Sequence, residues 1–402
     1  MPHPSFLSLT IVLLAGPPSS PAAPTAPDGW PWWRGPDHDG VSKETGWSVD
    51  GVPLWERNVG LGYSTVSVHD GRLYTTGHDP EKQQDTLVCL DARSGEVVWG
   101  FSFPAKTWNM GHGGGSLSTP SVDGDVVFAS HREGDLYCLD AKTGAVRWQH
   151  QLCTELDLKP PTWGFAASPL VFDDMVVMNA GVVLAFDKAG KPLWKSARSF
   201  GHAYSTPAPF EWDGRSLLAV FCGSGLVVVD RAKGEEIAAY EWKTKYDINA
   251  ATPVVVGNRI FISSGYNHGC AMLELGAQKL TSLWESKAMR NQMSGCVLYE
   301  DHLYGLDEQE LKCLDLTGKE VWTRTGFGKG CLLLAGGRLL VMSGEGELVI
   351  ATATPGGYEE LSRRKVLDGG VFWTTPVLAS GLIYCRNSKG DLVCLDHRPK
   401  EG

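Results

Sequence analysis

The chain has no two adjacent cysteines among its ten and no Cys-x-x-Cys-His run, which excludes a covalently attached c-type haem. It also lacks a basic surplus. Its 36 Lys and Arg stand against 46 Asp and Glu, a net charge of -10, so no cationic surface is available to displace counterions from a phosphate backbone. Nucleic acid is therefore not an expected partner. No run is apolar enough to cross a bilayer as a helix, and no segment carries a convincing amphipathic helical pattern. "TGFGKGC" is glycine-rich but leads into a strand pattern, so it is no phosphate loop. No nucleophile elbow and no short-range triad signature is present. Charge is missing from the start as well, where no Asp, Glu, Lys or Arg precedes Asp28. The apolar stretch from Phe6 to Gly16, followed by "PAA" at Pro21 to Ala23, reads as a secretory signal over 1–23. No Cys precedes Cys89, so no lipid anchor is expected near the cleavage position.

What is present is a repeat. An apolar content of 43% and a charged content of 20% suit a folded core, and one pattern runs through it. The pattern is clearest in "GDLYCLDAKTGAVRW", Gly134 to Trp148, and returns as "LVCLDARSGEVVW", "VLAFDKAGKPLW" and "LKCLDLTGKEVW". Its turn falls at Asp91, Asp140, Asp187, Asp230, Glu274, Asp315, Thr352 and Asp396, 37 to 49 residues apart. Upstream of each turn stands a second mark, such as "STV" at Ser64, "STP" at Ser118 and Ser205, or "TTP" at Thr374, opening another pair of short strands. Four short strands per unit at this period predict an all-β, eight-bladed β-propeller of four-stranded blades. In each copy the Asp accepts hydrogen bonds from the turn backbone and the Gly allows positive φ. The closing Trp supplies apolar area for docking one blade on the next, a role given to Trp55, Trp99, Trp148, Trp194, Trp284 and Trp322.

The last copy, "GDLVCLDHRPKEG", lacks its Gly-to-Trp strand, whereas "GVPLW" at Gly51 to Trp55 has that strand without the rest. A strand from the N-terminus is thus expected to complete the eighth blade and close the ring. The expected organisation is a leader at 1–23, an aromatic lead-in at 24–50, the propeller at 51–398 and a tail at 399–402. The lead-in aromatics Trp30, Trp32 and Trp33 are expected to pack under the closing strand, with Arg34 stacked among them.

These residues resemble the propeller repeat of quinoprotein alcohol dehydrogenases, over roughly residues 51 to 398. The lead-in "WPWWRGPDHDGVSKETGW" is similar to that of secreted bacterial PQQ-binding-like propellers, and length and blade number resemble the BamB outer-membrane assembly factors. The dehydrogenase resemblance implies pyrroloquinoline quinone with calcium, held on the axis between a Trp and a disulfide of adjacent cysteines, with an Asp as base. The BamB resemblance implies the same propeller without quinone. No catalytic or calcium-ligand position of the dehydrogenases transfers residue by residue to this chain. Cys89, Cys138, Cys313 and Cys394 share one repeat position in separate blades and are expected as buried thiols. Cys296 and Cys331 share another, in neighbouring innermost strands, and are the one candidate bridge.

A ligand site is expected where the loops between blades meet the axis. These loops carry His112, Trp163, His202, Tyr204, Asn249, Asn291, Gln292, Lys329 and Trp373. Two readings stay open: a binding site for a planar molecule, a sugar or a peptide, or a plug whose side chains satisfy one another. His112 and His202 lack a third ligand, so no metal is expected. The leading expectation is an exported, monomeric scaffold of the cell envelope, periplasmic or secreted, that binds a small molecule or an envelope protein or peptide. The alternative is a quinone-dependent alcohol or sugar dehydrogenase working at the axial mouth, and a carbohydrate-binding module or hydrolase is a third option.

Overall fold

The computed structural model describes residues 29–399 apart from 109, 110, 112, 173 and 203. The leader at 1–23 lies outside the described residues. Eight antiparallel sheets follow one another around an axis: 67–104, 121–151, 170–195, 208–241, 254–286, 297–324, 331–365 and 377–396. These are blades 1 to 8. Among the described residues the one α-helix is a single turn, Leu152–Leu156, after blade 2. The middle strands are buried on both faces, as in Val126–Ser130 and Arg338–Met342, because each sheet is sandwiched between two others.

The ring closes through the N-terminal strand. Val52–Asn58 pairs antiparallel with Asp391–Asp396 as the outermost strand of blade 8. Trp55 stands opposite Cys394 beside a bulge, the register in which Trp148 stands opposite Cys138 in blade 2. The sheet at 377–396 thereby gains the fourth strand it lacks.

Docking between blades has two layers. On the outside, Trp55, Trp99, Trp148, Trp194 and Trp284 each lie over the turn glycine of the next blade, whereas Trp322 meets Tyr358. A Cβ on Gly95, Gly144 or Gly318 would sit 2.6, 2.6 and 2.9 Å from the rings of Trp55, Trp99 and Trp284. The indole N–H groups of Trp55, Trp99, Trp148, Trp284 and Trp322 donate to carbonyls of Ala92, Ala141, Lys188, Leu316 and Thr354, at 2.8 to 3.2 Å. The turn glycine therefore does more than permit φ near +73° at Gly144; its bare Cα is the seat of the indole. Asp140 holds the same turn, its Oδ1 accepting from the N–H of Lys142 and Thr143 at 3.1 and 2.9 Å.

The inner layer explains the second repeated mark. The N–H of Thr65 donates to Thr119 Oγ1 (3.2 Å), that of Thr119 to Ser168 Oγ (3.0 Å) and that of Ser168 to Thr206 Oγ1 (2.9 Å). Thr65 Oγ1 donates to the carbonyl of Thr375, joining blade 1 to blade 8 at 2.7 Å. The small polar residues of the mark thus form hydrogen-bonded steps from blade to blade around the axis.

The lead-in does not pack under the closing strand; it crosses the axis. Gly29–Trp30 adds to the inner strand of blade 1, and Trp32 Nε1 donates to Val122 O in blade 2 at 2.7 Å. Trp33 Nε1 reaches Thr252 Oγ1 at the start of blade 5 (3.0 Å), and Val41–Ser42 runs parallel to Cys331–Ala335 of blade 7. Arg34 is buried, and its guanidinium is held by the carbonyls of Asp39 and Cys296 at 2.5 and 2.7 Å. The physical reason is the width of an eight-bladed ring, whose axis must be filled by bulky groups that the inner strands themselves do not supply. All ten cysteines are free thiols, so Cys296 and Cys331 are not bridged; Cys296 Sγ instead lies 3.2 Å from Asn291 Oδ1.

Alanine substitution separates seat from strain. Gly124→Ala, at φ +56° with nothing within 4 Å, should lower stability by about 1 kcal/mol. Gly144→Ala should lower it by about 2 kcal/mol or more, because the added methyl meets the Trp99 ring as well. Urea midpoints of the two variants against the parent chain measure the difference, and equal losses would show that the indole is not seated on Gly144.

Candidate functional site

The inter-blade loops and the lead-in line a cavity of about 170 Å³ on the axis, open to solvent. Its walls are aromatic. Trp33 comes from the lead-in, Tyr63 and Trp108 from either end of blade 1, and Trp163 and Trp373 from the approaches to blades 3 and 8. Tyr63 and Trp373 stack at 5.5 Å between ring centroids with planes 23° apart, and Trp163 meets the edge of Tyr204 at 6.0 Å. Trp108 is held by its indole N–H, which donates to Thr162 O at 3.1 Å across to the next loop. The hydroxyls of Thr119, Ser168 and Thr206 belong to the inner hydrogen-bonded steps and also line this cavity. Each of these oxygens accepts an N–H from the preceding blade, which leaves it a proton and one lone pair for a ligand. Burial pushes the Tyr204 hydroxyl up to about 12, so it too stays a neutral donor.

Among the described residues one lining side chain carries charge. Arg132 is 2% exposed and sits at the end of a blade 2 strand, where its Nη2 donates to Lys106 O. Its Nη1 lies 3.5 Å from Asp85 Oδ2, and His131 Nε2 lies 3.4 Å from the same oxygen. The other oxygen of Asp85 is 2.7 Å from His78 Nδ1. Burial alone would raise the Asp85 carboxyl, but His131, Arg132 and His78 together hold it below its ordinary value. Burial likewise opposes protonation of His131, yet Asp135 and Asp85 raise it above the ordinary histidine value. The cluster is compact, buried and adjacent to the cavity wall.

Of the residues singled out in the sequence, the structure brings Trp163, Tyr204 and Trp373 to the cavity. His202 stands behind the wall, its ring 6.0 Å from Tyr204. Asn249 and Asn291 are buried fasteners: Asn249 Nδ2 donates to the carbonyls of Cys222 and Trp242, and Asn291 Nδ2 to that of Leu306. Gln292 and Lys329 are half-buried and outside the lining, and His112 lies outside the described residues. The sequence assigns Trp33 a packing role and does not single out Tyr63, Trp108 or Arg132. Trp108 lies in an inter-blade loop, five residues before Gly113, but Arg132 lies in "SHREGD", a turn within a blade and away from the inter-blade loops.

Among the described residues the lining contains no cysteine, no carboxylate and no side-chain amide. Among the described residues no group of three or more His, Cys, Asp or Glu is placed to hold a metal ion. These residues do not fit a quinone held with calcium and served by an aspartate base. They fit a flat, acceptor-rich molecule lying between aromatic faces.

The family described as outer membrane protein assembly factor BamB matches this chain over residues 104–324 and 307–401. Tetrathionate hydrolase of Acidithiobacillus ferrooxidans is 25% identical over 240 residues, covering 55% of this chain and 45% of that protein, so the chain spans less than half of this relative. BamB of Yersinia pestis is 23% identical over 319 residues, 72% of this chain and 77% of that one. Among solved structures, quinohemoprotein alcohol dehydrogenase from Comamonas testosteroni shares the fold with a TM-score of 0.69 at 13% identity, over 95% of this chain and 82% of that chain.

The buried cluster predicts a pH dependence. A raised histidine stabilises the fold fully below its ordinary value, near 6.5, and that contribution is lost as pH rises through the folded value. Urea midpoints measured from pH 6 to 9 should fall for the parent chain and stay flatter for His131→Gln; parallel curves would remove His131 from the cluster's balance.

Proposed function

The chain belongs to the family of outer membrane protein assembly factor BamB, and on that basis we propose that it is a scaffold of the cell envelope whose axial cavity binds a flat, acceptor-rich small molecule. The observation that carries this reading is the lining itself: aromatic faces, hydroxyls and a buried guanidinium, with no carboxylate among the described residues to act as base or to hold a calcium ion. The stacked pair Tyr63 and Trp373 and the upright Trp163 supply area at low entropic cost, since each ring is already fixed by its neighbours. Arg132 supplies a cationic contact.

Work outside the cytoplasm is supported by the uncharged apolar leader and by the BamB relative, an outer membrane protein assembly factor. A second face suits an extended peptide. The outermost strands leave Val97, Leu193, Leu283, Val321 and Leu361 exposed along edges that a further strand could pair. The quinone-dependent dehydrogenase is the competing reading, because the quinone is itself flat and acceptor-rich and the same cavity would receive it.

One titration separates the two. Purified protein is titrated with pyrroloquinoline quinone and with simple aromatic carboxylates, with and without calcium, following tryptophan fluorescence, the quinone's absorbance and dye reduction with an alcohol panel. Saturable binding that ignores calcium and supports no alcohol-dependent reduction is expected, and Trp373→Ala should weaken it about tenfold or more, equivalent to about 1.4 kcal/mol. Calcium-dependent stoichiometric binding with turnover would replace the scaffold by the dehydrogenase. Failure of every flat carboxylate to bind would remove the cavity from the function.

A further inference from the structure

Beside the cavity wall, three residues of blade 1 and its exit loop stand in an order that the binding role does not require. Asp85, 1% exposed, faces His78 Nδ1 at 2.7 Å; His78, fully buried, faces Thr107 Oγ1 through Nε2 at 2.8 Å. Thr107 is exposed and directly precedes Trp108 of the cavity lining.

The chemistry of the partners fixes the proton positions. A carboxylate only accepts, so His78 carries its proton on Nδ1, and Nε2 of the neutral ring is then the acceptor for the Thr107 hydroxyl. Asp85 is kept anionic on its other side by Arg132 at 3.5 Å and His131 at 3.4 Å. The threonine is clamped as well. Gln83 Nε2 donates to Thr107 Oγ1 at 2.7 Å, and Gln83 Oε1 accepts from the Thr107 N–H at 2.8 Å. One lone pair of Oγ1 is therefore occupied, its proton points at an imidazole, and one lone pair remains. Gln83 does this from a left-handed backbone, φ +50°, a conformation unfavourable for a residue with a side chain and held here by the surrounding contacts.

We propose that Thr107, His78 and Asp85 form a hydrolytic relay for carboxylic esters of flat or cyclic alcohols, with the ring of the substrate seated in the adjoining aromatic cavity. The seating rests on the cavity reading above; the relay does not. Oγ1 of Thr107 attacks the ester carbonyl as its proton passes to His78 Nε2, and the carbonyl pair moves to oxygen. When that pair returns, the bond to the alcohol oxygen breaks and the alcohol leaves with the proton from Nε2. Water then adds to the threonine ester by the same route, releasing the acid and restoring Thr107. Thr107 and His78 are the reacting groups; Asp85 acts through His78 and is a positioning residue.

The test uses the full chain with p-nitrophenyl esters of short acids and with a fluorophosphonate probe, the labelled residue being located by peptide mass spectrometry. Label on Thr107 and turnover of the esters are expected. Thr107→Ala should lose turnover by at least about 100-fold at an unchanged melting temperature, whereas Thr107→Ser should retain it. Because His78 is buried and its variants can fail to fold, Thr107 carries the test. Absence of label, or turnover that survives in Thr107→Ala, would overturn the relay. A relay that works while flat carboxylates fail to compete with the ester would keep the hydrolysis and discard the cavity as its binding site.

Discussion

The structure depends on one repeated contact, a tryptophan ring lying on the bare Cα of a glycine in the next blade. Neither residue works alone. Without the indole the turn glycine is only a flexible point, and with a side chain in its place the ring has nowhere to sit. The pair Trp55 and Gly95 carries the most weight, because Trp55 belongs to the strand that completes blade 8 while Gly95 belongs to blade 1. That contact joins the last sheet to the first on the outside, as the hydrogen bond from Thr65 to Thr375 does near the axis. Sheets docked this way need no covalent link between them, consistent with ten cysteines that remain thiols.

Inside this rigid rim the lead-in has an unusual position. It binds the inner strands of blades 1 and 7 as an extra strand, and between them it places Trp33 in the cavity lining. The cavity is therefore built from two kinds of chain: repeat residues such as Thr119 and Thr206, which serve the ring first, and unique residues such as Trp108 and Trp163, which the ring does not need. Chemistry concentrates in the second kind. The cluster around Asp85 follows the same division, since Arg132 and His131 occupy a turn within blade 2 where the corresponding turns of other blades carry other residues.

The fold was legible in the sequence because it is written many times over: a mark that is worn in one blade is clear in the next, and the unmatched "GVPLW" found its partner at the far end of the chain. The site was legible only in part. Trp163, Tyr204 and Trp373 were found because they lie in loops whose place in a propeller is known. Asn249 and Asn291 lie in the same loops and point back into the strands, a distinction of side-chain direction that spacing does not carry. Trp33 and Arg132 were missed because nothing local announces a segment that crosses the axis or an arginine that leaves its turn for the cavity. The relay from Thr107 through His78 to Asp85 spans two strands and a loop, so its order exists only in three dimensions.

The pairing of Val52–Asn58 with Asp391–Asp396 also sets an order in time. The ribosome makes the closing strand early and its partner late, so the ring stays an open arc until nearly the whole chain is available. Until then the closing strand has an unsatisfied edge and Trp55 has no completed sheet behind it. Bringing together residues separated by some 340 positions carries a loop-closure entropy of about 5 kcal/mol by the logarithmic rule, which docking of the intervening blades must offset first. Blades can therefore assemble one on another as they emerge, while the cavity, whose lining draws on Trp33 and Trp373, is the last part of the molecule to exist.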